Sequence, residues 1–272
     1  MASHPPFHSR PLDEHGASAA IDLAAAAGAT GIYLCNALRA RDGEAVGLFG
    51  RDELLGCLWF GPRGNLVVLQ RVALEPERVA DAVVACRWPW RIALGPPAPI
   101  DALVGRLTGP PLVHRDQAYY GCRPAEAVLA AAAADVRTAQ RADRDRLIAA
   151  TLELNRSDLN VDPRRVDRRW LRSMVDARIA DGSSLVIGAP GAFDCKLDLG
   201  SRGAAGLVLE GVYTFPPMRG RGLASALVGA AAARATEPFV CLHVAADNAP
   251  ARRAYEHAGL RELARCRLLL SG

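Results

Sequence analysis

Lysine is almost absent from this sequence, although 33 of the 272 residues are basic. Lys196 is the only lysine, so arginine carries nearly all the positive charge. The formal net charge of +4 is too small for the strongly basic face that nucleic-acid binding usually shows, and we predict no nucleic-acid partner. The arginine bias is explained by genome composition, given the equally heavy use of alanine. It also suits a local phosphate site, because the arginine fork donates two parallel hydrogen bonds.

Long apolar runs and paired cysteines are also missing. No uninterrupted apolar run approaches the roughly 18 residues of a membrane span, and Met1–Gly16 lacks the apolar core of a targeting signal. The seven cysteines are scattered singly, without a Cys-x-x-Cys pair or metal-like spacing. We therefore expect a soluble cytoplasmic protein with reduced thiols, no membrane partner and no metal.

The length suits two ordinary domains of roughly 100–150 residues each. The alanine-rich tract Ala125–Ala134 is either a closing helix or a linker, and we predict domains at 1–133 and 134–272. Periodicity and Gly/Pro punctuation predict the elements of the first half. Its helices are Ala17–Ala27 and Pro76–Arg87, and its strands are Ala45–Phe49, Leu54–Phe60 and Leu66–Leu69.

The second half has a clearer alternation of strands and helices. The predicted helices are Asp143–Leu154, Asp167–Ala180, Gly222–Ala235 and Asn248–His257. The predicted strands are Val136–Thr138, Ser184–Ile187, Phe193–Leu199, Leu207–Thr214, Phe239–Val244 and Leu263–Leu270.

The most informative stretch is the strand Leu207–Thr214, the turn after it and the helix that follows. Backbone N–H groups at a helix start lack intrahelical partners, and the helix dipole favours negative charge there. Glycine lets the backbone approach a ligand where a Cβ would collide. We predict a phosphate cradle formed by Arg219, Gly220, Arg221, Gly222, Leu223, Ala224 and Ser225.

Two spaced motifs, Arg219-x-x-Gly222-x-Ala224 and Asn248-x-x-Ala251-x-x-x-Tyr255, resemble those of the GNAT superfamily of N-acetyltransferases. The first matches every fixed position of the superfamily signature Gln/Arg-x-x-Gly-x-Gly/Ala. Asp158–Pro163, Cys195–Gly200 and the Val244–Leu260 region further resemble a bacterial two-domain group with an uncharacterised amino-terminal half. The resemblance implies an α/β (α+β) fold. A mixed sheet with splayed parallel central strands is flanked by helices and preceded by a smaller GNAT-like α/β domain.

The amino-terminal half is similar to a degenerate GNAT copy. It has strands, helices and Tyr119-Tyr120, but no Arg-x-x-Gly-x-Gly/Ala turn. The resemblance implies that it has lost the pyrophosphate cradle and serves as a scaffold or as a wall of the acceptor site.

In that superfamily acetyl-CoA donates its acetyl group directly to an amine, and pantetheine lies between the two splayed strands. By position, the backbone of Val212, Tyr213 and Thr214 would pair with pantetheine amides, and a strand N–H would polarise the thioester carbonyl. Asn248 matches a residue that bonds the pantetheine arm. It also suits a helix N-cap, and both roles can hold at once.

Tyr255 matches the general acid that protonates the departing thiolate; the alternative is a buried, packed tyrosine. For the general base, alternation places Glu210 on one strand face with Val208 and Val212. A glutamate at a strand edge facing solvent is the alternative for Glu210. His243 is the second candidate base, against a simply packed ring.

The resemblance places Asp158 and Asp162 in the connection that shapes the acceptor pocket, where two carboxylates would suit a cationic amine. Ordinary loop and cap chemistry is the alternative. Lys196 either pairs with this acidic loop or the acceptor, or faces solvent.

Two rival functions remain open. A non-catalytic acyl-CoA-binding or scaffold protein would keep the cradle without turnover. A dinucleotide-binding module would use Gly220-x-Gly222, but the third glycine of that fingerprint is replaced by Ser225. The acceptor amine, a small molecule or a protein, and the oligomeric state are not specified.

Overall fold

The computed structural model of the protein describes residues 6–272. The chain forms two compact units. The first comprises the described residues up to Tyr119 with Ala245–Asp247 and Ala264–Gly272, and the second comprises Tyr120–Val244 and Asn248–Leu263. The boundary predicted between residues 133 and 134 stays a prediction, since contacts within one chain do not test which segment folds alone. The expectation for Met1–Gly16 concerns residues 1–5 in part, which lie outside the described range.

The elements of the first half contain every predicted helix and strand, with ends that differ by up to three residues. They are β1 (His8–Pro11), α1 (Glu14–Ala26), α2 (Ile32–Ala40), β2 (Glu44–Gly50), β3 (Glu53–Phe60), β4 (Asn65–Gln70), α3 (Pro76–Cys86), β5 (Ile92–Gly95), α4 (Pro97–Val104) and β6 (Val113–Cys122). The sequence did not predict α2 because six of its nine residues are buried, which leaves no polar face to reveal a helical period.

The second half repeats the order of the first: strand, two helices, three strands, helix, strand, helix, strand. Its elements are β7 (Val136–Thr138), α5 (Arg144–Leu159), α6 (Arg168–Ala180), β8 (Ser184–Ala189), β9 (Ala192–Gly203), β10 (Gly206–Thr214), α7 (Leu223–Ala233), β11 (Val240–Ala245), α8 (Ala249–His257) and β12 (Arg261–Leu270). The repeated order is that of a tandem protein.

The strands of the first unit run in the order β1-β2-β3-β4-β5-β12-β6. β4 and β5 are parallel, with Asn65 opposite Ile92 and Val67 opposite Leu94, and β12 lies antiparallel to β5. The turn that joins β4 to α3, Arg71–Glu75, contains no glycine. The first copy therefore lacks the glycine turn that precedes a cradle, as the sequence predicts.

The strands of the second unit run in the order β11-β10-β9-β8-β7. β10 and β11 are parallel, but their register consists of two pairs, Leu207 opposite Val240 and Val208 opposite Cys241. Beyond these pairs the strands separate while β10 continues to Thr214. The predicted mixed sheet with splayed parallel central strands is confirmed.

A β-bulge lies on β10 where the strands have separated. Glu210 is opposite Asp198 and Tyr213 is opposite Lys196, so three steps on β10 match two on β9. Gly211 occupies the bulge at φ +59°, where an added Cβ would lie 2.8 Å from the Lys196 Nζ. Backbone geometry and crowding therefore both require glycine here.

The tract Ala125–Ala134 contains no α-helix and lies within the second unit, so the expected closing helix is absent and a linker role stays a prediction. It forms parts of two 3-10 turns, Pro124–Glu126 and Ala131–Asp135. The backbone N–H of Val128 donates to the Ala258 carbonyl at 3.0 Å, and a Cβ on Gly229 would lie 2.2 Å from the Val128 carbonyl oxygen. The tract thus packs against α7 and the end of α8.

Among residues 6–272, no helix combines the length and the apolarity needed to cross a bilayer.

Candidate functional site

The turn between β10 and α7 presents an open row of backbone N–H groups. Gly220 and Gly222 have φ of +75° and +74°, and α7 begins directly after Gly222. The first N–H of this region to reach a helical carbonyl is that of Ala226, which donates to Gly222 at 2.9 Å. Within the described chain, the N–H groups of residues 220–225 have no acceptor. They are the donors that an anion at a helix start uses.

The space in front of the two glycines is empty. A Cβ on Gly220 or Gly222 would meet no described atom within 4 Å. Crowding within the protein therefore does not explain either glycine, whereas the left-handed backbone does. The open volume also leaves room for a ligand close to the chain.

Two arginines flank this row. The Arg219 Nε donates to the Thr214 carbonyl at 3.1 Å, and its guanidinium carbon lies 5.8 Å from the centre of the Tyr213 ring. Arg221 is exposed. Arg219 thus fixes the turn to the end of β10. Arg221 is an exposed cation in the same turn as the N–H groups.

The carboxyl end of β10, where we predict that pantetheine binds, pairs with β9 along one edge, whereas its pairing with β11 along the other edge has already ended. Tyr213 and Thr214 are in register with Lys196 and Cys195 of β9, whereas the register with β11 ends at Val208. The Tyr213 ring is buried, and the Thr214 hydroxyl donates to the Cys195 Sγ at 3.2 Å. These side-chain contacts hold the strand in place, and the pairing of pantetheine with the backbone of residues 212–214 stays a prediction.

Tyr255 lies on α8 and is only 6% exposed. Its ring makes an edge contact with the Tyr120 ring at 6.1 Å between centroids. Burial raises the pKa of Tyr255, and the negative charge of Asp158 raises it further. The phenol is therefore protonated at neutral pH, as a general acid must be. The side chain is packed, and its role as the general acid stays a prediction.

Asn248 caps α8. Its Oδ1 accepts the Ala251 N–H at 3.2 Å, and Pro250 lies in the first helical turn. The side chain is exposed, so the cap leaves the amide NH₂ group facing outward. Its role toward pantetheine stays a prediction.

Glu210 is not surrounded by apolar groups, because the bulge breaks the alternation that would align it with Val212. Its Oε2 accepts a hydrogen bond from Arg178 at 3.3 Å, and its side chain is 37% exposed. A Cβ added to Gly200 would lie 2.5 Å from the Glu210 Oε1. The carboxylate therefore lies between an arginine and the bare backbone of Gly200, and the expected apolar surroundings are replaced by an ion pair.

Lys196 is buried beneath the bulge, in neither of the environments predicted for it. Its Nζ donates to the Asp198 Oδ2 at 2.5 Å, and both side chains are at most 3% exposed. Asp198 also bonds Arg178, and the Ser184 hydroxyl donates to its Oδ1 at 2.6 Å. Arg178 thus joins this buried pair to Glu210. The i, i+2 spacing of Lys196 and Asp198 on one strand face was the available sequence signal.

Lys196→Met is expected to destabilise the protein by about 3 kcal/mol, at the lower end of the roughly 3–5 kcal/mol for breaking a buried pair. The loss stays at that end because Arg178 still bonds Asp198. Urea denaturation measures the free energy of unfolding. The double variant Lys196→Met/Asp198→Asn should lose less than the two single variants together, because both singles break the same pair. Strict additivity would contradict the pairing.

The Asp198 carboxyl also predicts a pH dependence. Burial acts to raise its pKa, but the charges of Lys196 and Arg178 and the hydrogen bonds from Lys196 and Ser184 lower it. This stability is fully present above the unfolded pKa of about 3.9 and is lost as pH falls through the folded pKa. The stability difference between wild type and Asp198→Asn should therefore shrink only below about pH 4. A difference that shrinks already between neutral pH and pH 5 would contradict this assignment.

Asp158 and Asp162 have separate environments. Asp158 lies in the last turn of α5, ahead of the predicted connection, and its charge acts on Tyr255. Asp162 accepts the Arg164 N–H at 2.9 Å and caps a 3-10 turn, so the cap alternative describes it. Their roles toward an acceptor stay predictions. His243, the second candidate base, is exposed on β11, and its role stays a prediction. Among the residues that the structure describes, no group of His, Cys, Asp or Glu side chains is arranged to hold a metal ion.

Part of the second half matches a known protein family, and the match covers the turn and strands described above. Residues 191–260 match the model of the Acetyltransferase (GNAT) family. The match includes the bulge on β10, the glycine turn and α8, and it indicates acyl transfer. No curated protein matches the chain.

Solved structures similar to this chain have the GNAT fold over nearly its whole length. A GCN5-related N-acetyltransferase from Sphaerobacter thermophilus is 18% identical, with a TM-score of 0.59 and coverage of 97% of this chain and 96% of that one. An acetyltransferase from the GNAT family from Colwellia psychrerythraea is 12% identical, with a TM-score of 0.52 and coverage of 97% and 99%. A tandem GNAT protein from the clavulanic acid biosynthesis pathway is 14% identical, with a TM-score of 0.51 and coverage of 97% and 98%. At these identities the likeness shows the fold.

Proposed function

Because residues 191–260 match the model of the Acetyltransferase (GNAT) family, we propose that this protein is an N-acetyltransferase that moves an acetyl group from acetyl-CoA to a primary amine by direct attack. The observation that carries the proposal is the open row of N–H groups at residues 220–225, at the end of a strand that has separated from its parallel neighbour. A diphosphate suits the row, and an extended amide-bearing arm suits the gap.

The cradle residues would bind the nucleotide end of acetyl-CoA. The N–H groups from Gly220 to Ser225 would donate to the diphosphate, and Arg221 and Arg219 would add charge. Hydrogen bonds to charged groups contribute roughly 1.5–3 kcal/mol each, so several of them account for useful affinity. Pantetheine would pair with the released edge of residues 212–214, and the Asn248 amide would bond it from α8.

Acetyl transfer then requires proton movements at the acceptor nitrogen and at the departing sulfur. The acceptor ammonium must lose a proton before its nitrogen attacks the thioester carbon, and Glu210 is the base that we propose, directly or through a water. A backbone N–H at the bulge stabilises the oxyanion of the tetrahedral intermediate. As the C–S bond breaks, the Tyr255 hydroxyl gives its proton to the CoA thiolate, and the attacking nitrogen releases its surplus proton to solvent. The Tyr255 phenolate and the protonated Glu210 then exchange protons with solvent to restore the starting enzyme, and the products are an amide, free CoA and one proton.

Glu210→Gln tests the base. If Glu210 removes the proton, the substitution should lower kcat by roughly 10²–10⁴-fold at neutral pH with little change in the KM for acetyl-CoA. A pH–rate profile should lose its acidic limb. Glu237→Gln is the matched control, because it removes a carboxylate that pairs with Arg202 at 3.1 Å elsewhere in the unit. Equal activity of Glu210→Gln and wild type would leave Glu210 as a structural partner of Arg178.

One observation favours a second candidate function. The Glu210 carboxylate is engaged with Arg178, so a protein that holds acyl-CoA without turnover would need no change at this position. Incubation with acetyl-CoA and a panel of primary amines separates the two functions. Free thiol released together with acetylated amine supports the enzyme, whereas calorimetric binding without transfer to any amine supports the acyl-CoA-binding scaffold. The dinucleotide-binding alternative is not retained, because the family match covers the whole glycine turn.

The first unit and the cellular setting complete the proposal. With no glycine in its β4–α3 turn, the first copy would act as a scaffold and not as a second catalytic centre. The seven cysteines are free thiols, which suits the reducing cytosol, and we propose that the reaction takes place there.

A further inference from the structure

Five exposed arginines are concentrated between residues 164 and 172, here called the arginine segment. They are Arg164, Arg165, Arg168, Arg169 and Arg172. In the part of the chain that the structure describes, no carboxylate pairs with any of them. Asp162 accepts the backbone N–H of Arg164, and Asp167 accepts those of Arg169 and Trp170, so the two aspartates offset part of the positive charge without pairing with a guanidinium group.

Most of the fourteen other arginines of the second unit have a hydrogen-bonding or ion-pair partner. Of the fourteen, all but Arg141, Arg221 and Arg253 contact a carboxylate or a backbone carbonyl of the described chain: Arg123, Arg137, Arg144, Arg146, Arg156, Arg178, Arg202, Arg219, Arg234, Arg252 and Arg261. A bias of genome composition explains why arginine is common, but it does not explain why free guanidinium groups collect in one nine-residue stretch. Like charges at such spacing repel one another, so the cluster costs stability unless a ligand uses it.

The arginine segment is firmly held and lies near the proposed acetyl-transfer site. Val166 and Leu171 pack into the same hydrophobic cluster as Tyr213 of β10. Asp158, whose charge acts on Tyr255, precedes Arg164 by six residues, which span at most about 21 Å. An anion bound along the segment can therefore carry an amine into the region of Tyr255.

We propose that the arginine segment binds an acidic polypeptide that carries the acceptor amine. This inference rests on the proposed function and names the substrate class. A single small anion pairs with one or two guanidinium groups, whereas several acidic side chains along a peptide can engage all five. Trp170, 49% exposed on the same segment, adds an aromatic surface, and Trp and Arg are the residues enriched in binding hot spots. The net charge of +4 disfavours nucleic acid as the occupant.

The test uses three fluorescently labelled peptides of equal length, each with one central lysine flanked by glutamates, glutamines or arginines. Fluorescence anisotropy with the full-length protein measures binding. The glutamate peptide should bind at least ~10-fold more tightly than the glutamine peptide, and added salt should weaken only the former. The triple variant Arg164→Gln/Arg168→Gln/Arg172→Gln should lose ~10-fold in affinity for the glutamate peptide.

The control Arg39→Gln/Arg63→Gln/Arg141→Gln removes the same charge from exposed positions elsewhere and should stay within about 2-fold of wild type. Equal binding of the glutamate and glutamine peptides, or an equal loss in the control, would overturn the proposal. So would a single-stranded oligonucleotide that binds more tightly than the glutamate peptide and loses its affinity in the Arg164/Arg168/Arg172 variant.

Acetyl transfer measured in the same samples separates this inference from the proposed function. Acetylation of the glutamate peptide in preference to the other two supports both. Transfer to other amines but never to a bound glutamate peptide overturns the acceptor assignment alone. Tight binding of the glutamate peptide with no transfer to any amine contradicts the proposed enzyme while the acidic-polypeptide surface stands.

Discussion

Replacing Gly222 with leucine is expected to lower the affinity for acetyl-CoA at least ~100-fold, a loss of about 2.7 kcal/mol. Gly222 has φ +74°, and a left-handed backbone costs other residues roughly 1–2 kcal/mol. The leucine side chain would also enter the empty space in front of the N–H groups, which is where the diphosphate is proposed to lie. Either a shifted turn or a blocked one loses several charge-assisted hydrogen bonds at once.

Gly182→Leu is the matched control. Gly182 has φ +73° in the turn between α6 and β8, and its nearest neighbour to an added Cβ is the Thr138 Cγ2 at 3.5 Å. It therefore carries a similar backbone strain away from the cradle and should bind acetyl-CoA normally. Calorimetric titration measures affinity, and thermal denaturation shows that both variants fold. Undiminished affinity in folded Gly222→Leu would contradict the cradle.

Tyr255→Phe is expected to lower kcat roughly 10²–10⁴-fold while the KM for acetyl-CoA stays near that of wild type. Phenylalanine keeps the ring and its contact with Tyr120 but removes the proton donor. The departing thiolate must then leave without protonation, which raises the barrier only in the transition state. Because burial raises the pKa of Tyr255, the wild-type rate should not fall through deprotonation of this phenol at moderately alkaline pH.

Tyr120→Phe provides the comparison. The Tyr120 hydroxyl is tied to Arg252 at 3.0 Å and to Glu256 at 3.0 Å, so its loss affects local structure without removing a proposed acid. Its kcat should stay within a few-fold of wild type. If Tyr255→Phe and Tyr120→Phe lose activity equally, or if Tyr255→Phe loses none, Tyr255 is not the acid.

The fold of the second half was predictable because local signals agree with it. Strand alternation, glycine punctuation and an Asn–Pro helix start each mark an element boundary that the structure has within a few residues. The glycine turn was predictable for the same reason, because a turn between a strand and a helix leaves N–H donors free whatever the rest of the chain does. The repeat of ten elements was harder to predict, because the two halves have the same order of elements but no sequence motif in common.

The surroundings of Glu210 and Lys196 could not be predicted from strand alternation. A bulge changes the side on which every later residue of a strand lies. The extra residue at Gly211 is defined by the pairing of β10 with β9, and this pairing is not visible in the sequence of β10 alone. Burial of Lys196 likewise depends on Asp198, Arg178 and Ser184 converging from three elements. Such tertiary polar networks leave only a faint trace in a single sequence.

A crystal structure of the protein with acetyl-CoA bound tests the cradle most directly. The diphosphate oxygens should lie within hydrogen-bonding distance, roughly 2.7–3.2 Å, of backbone nitrogens between residues 220 and 225. The pantetheine arm should follow residues 212–214 along the edge that β11 has left. Acetyl-CoA bound elsewhere, with those nitrogens unoccupied, would contradict the proposed enzyme.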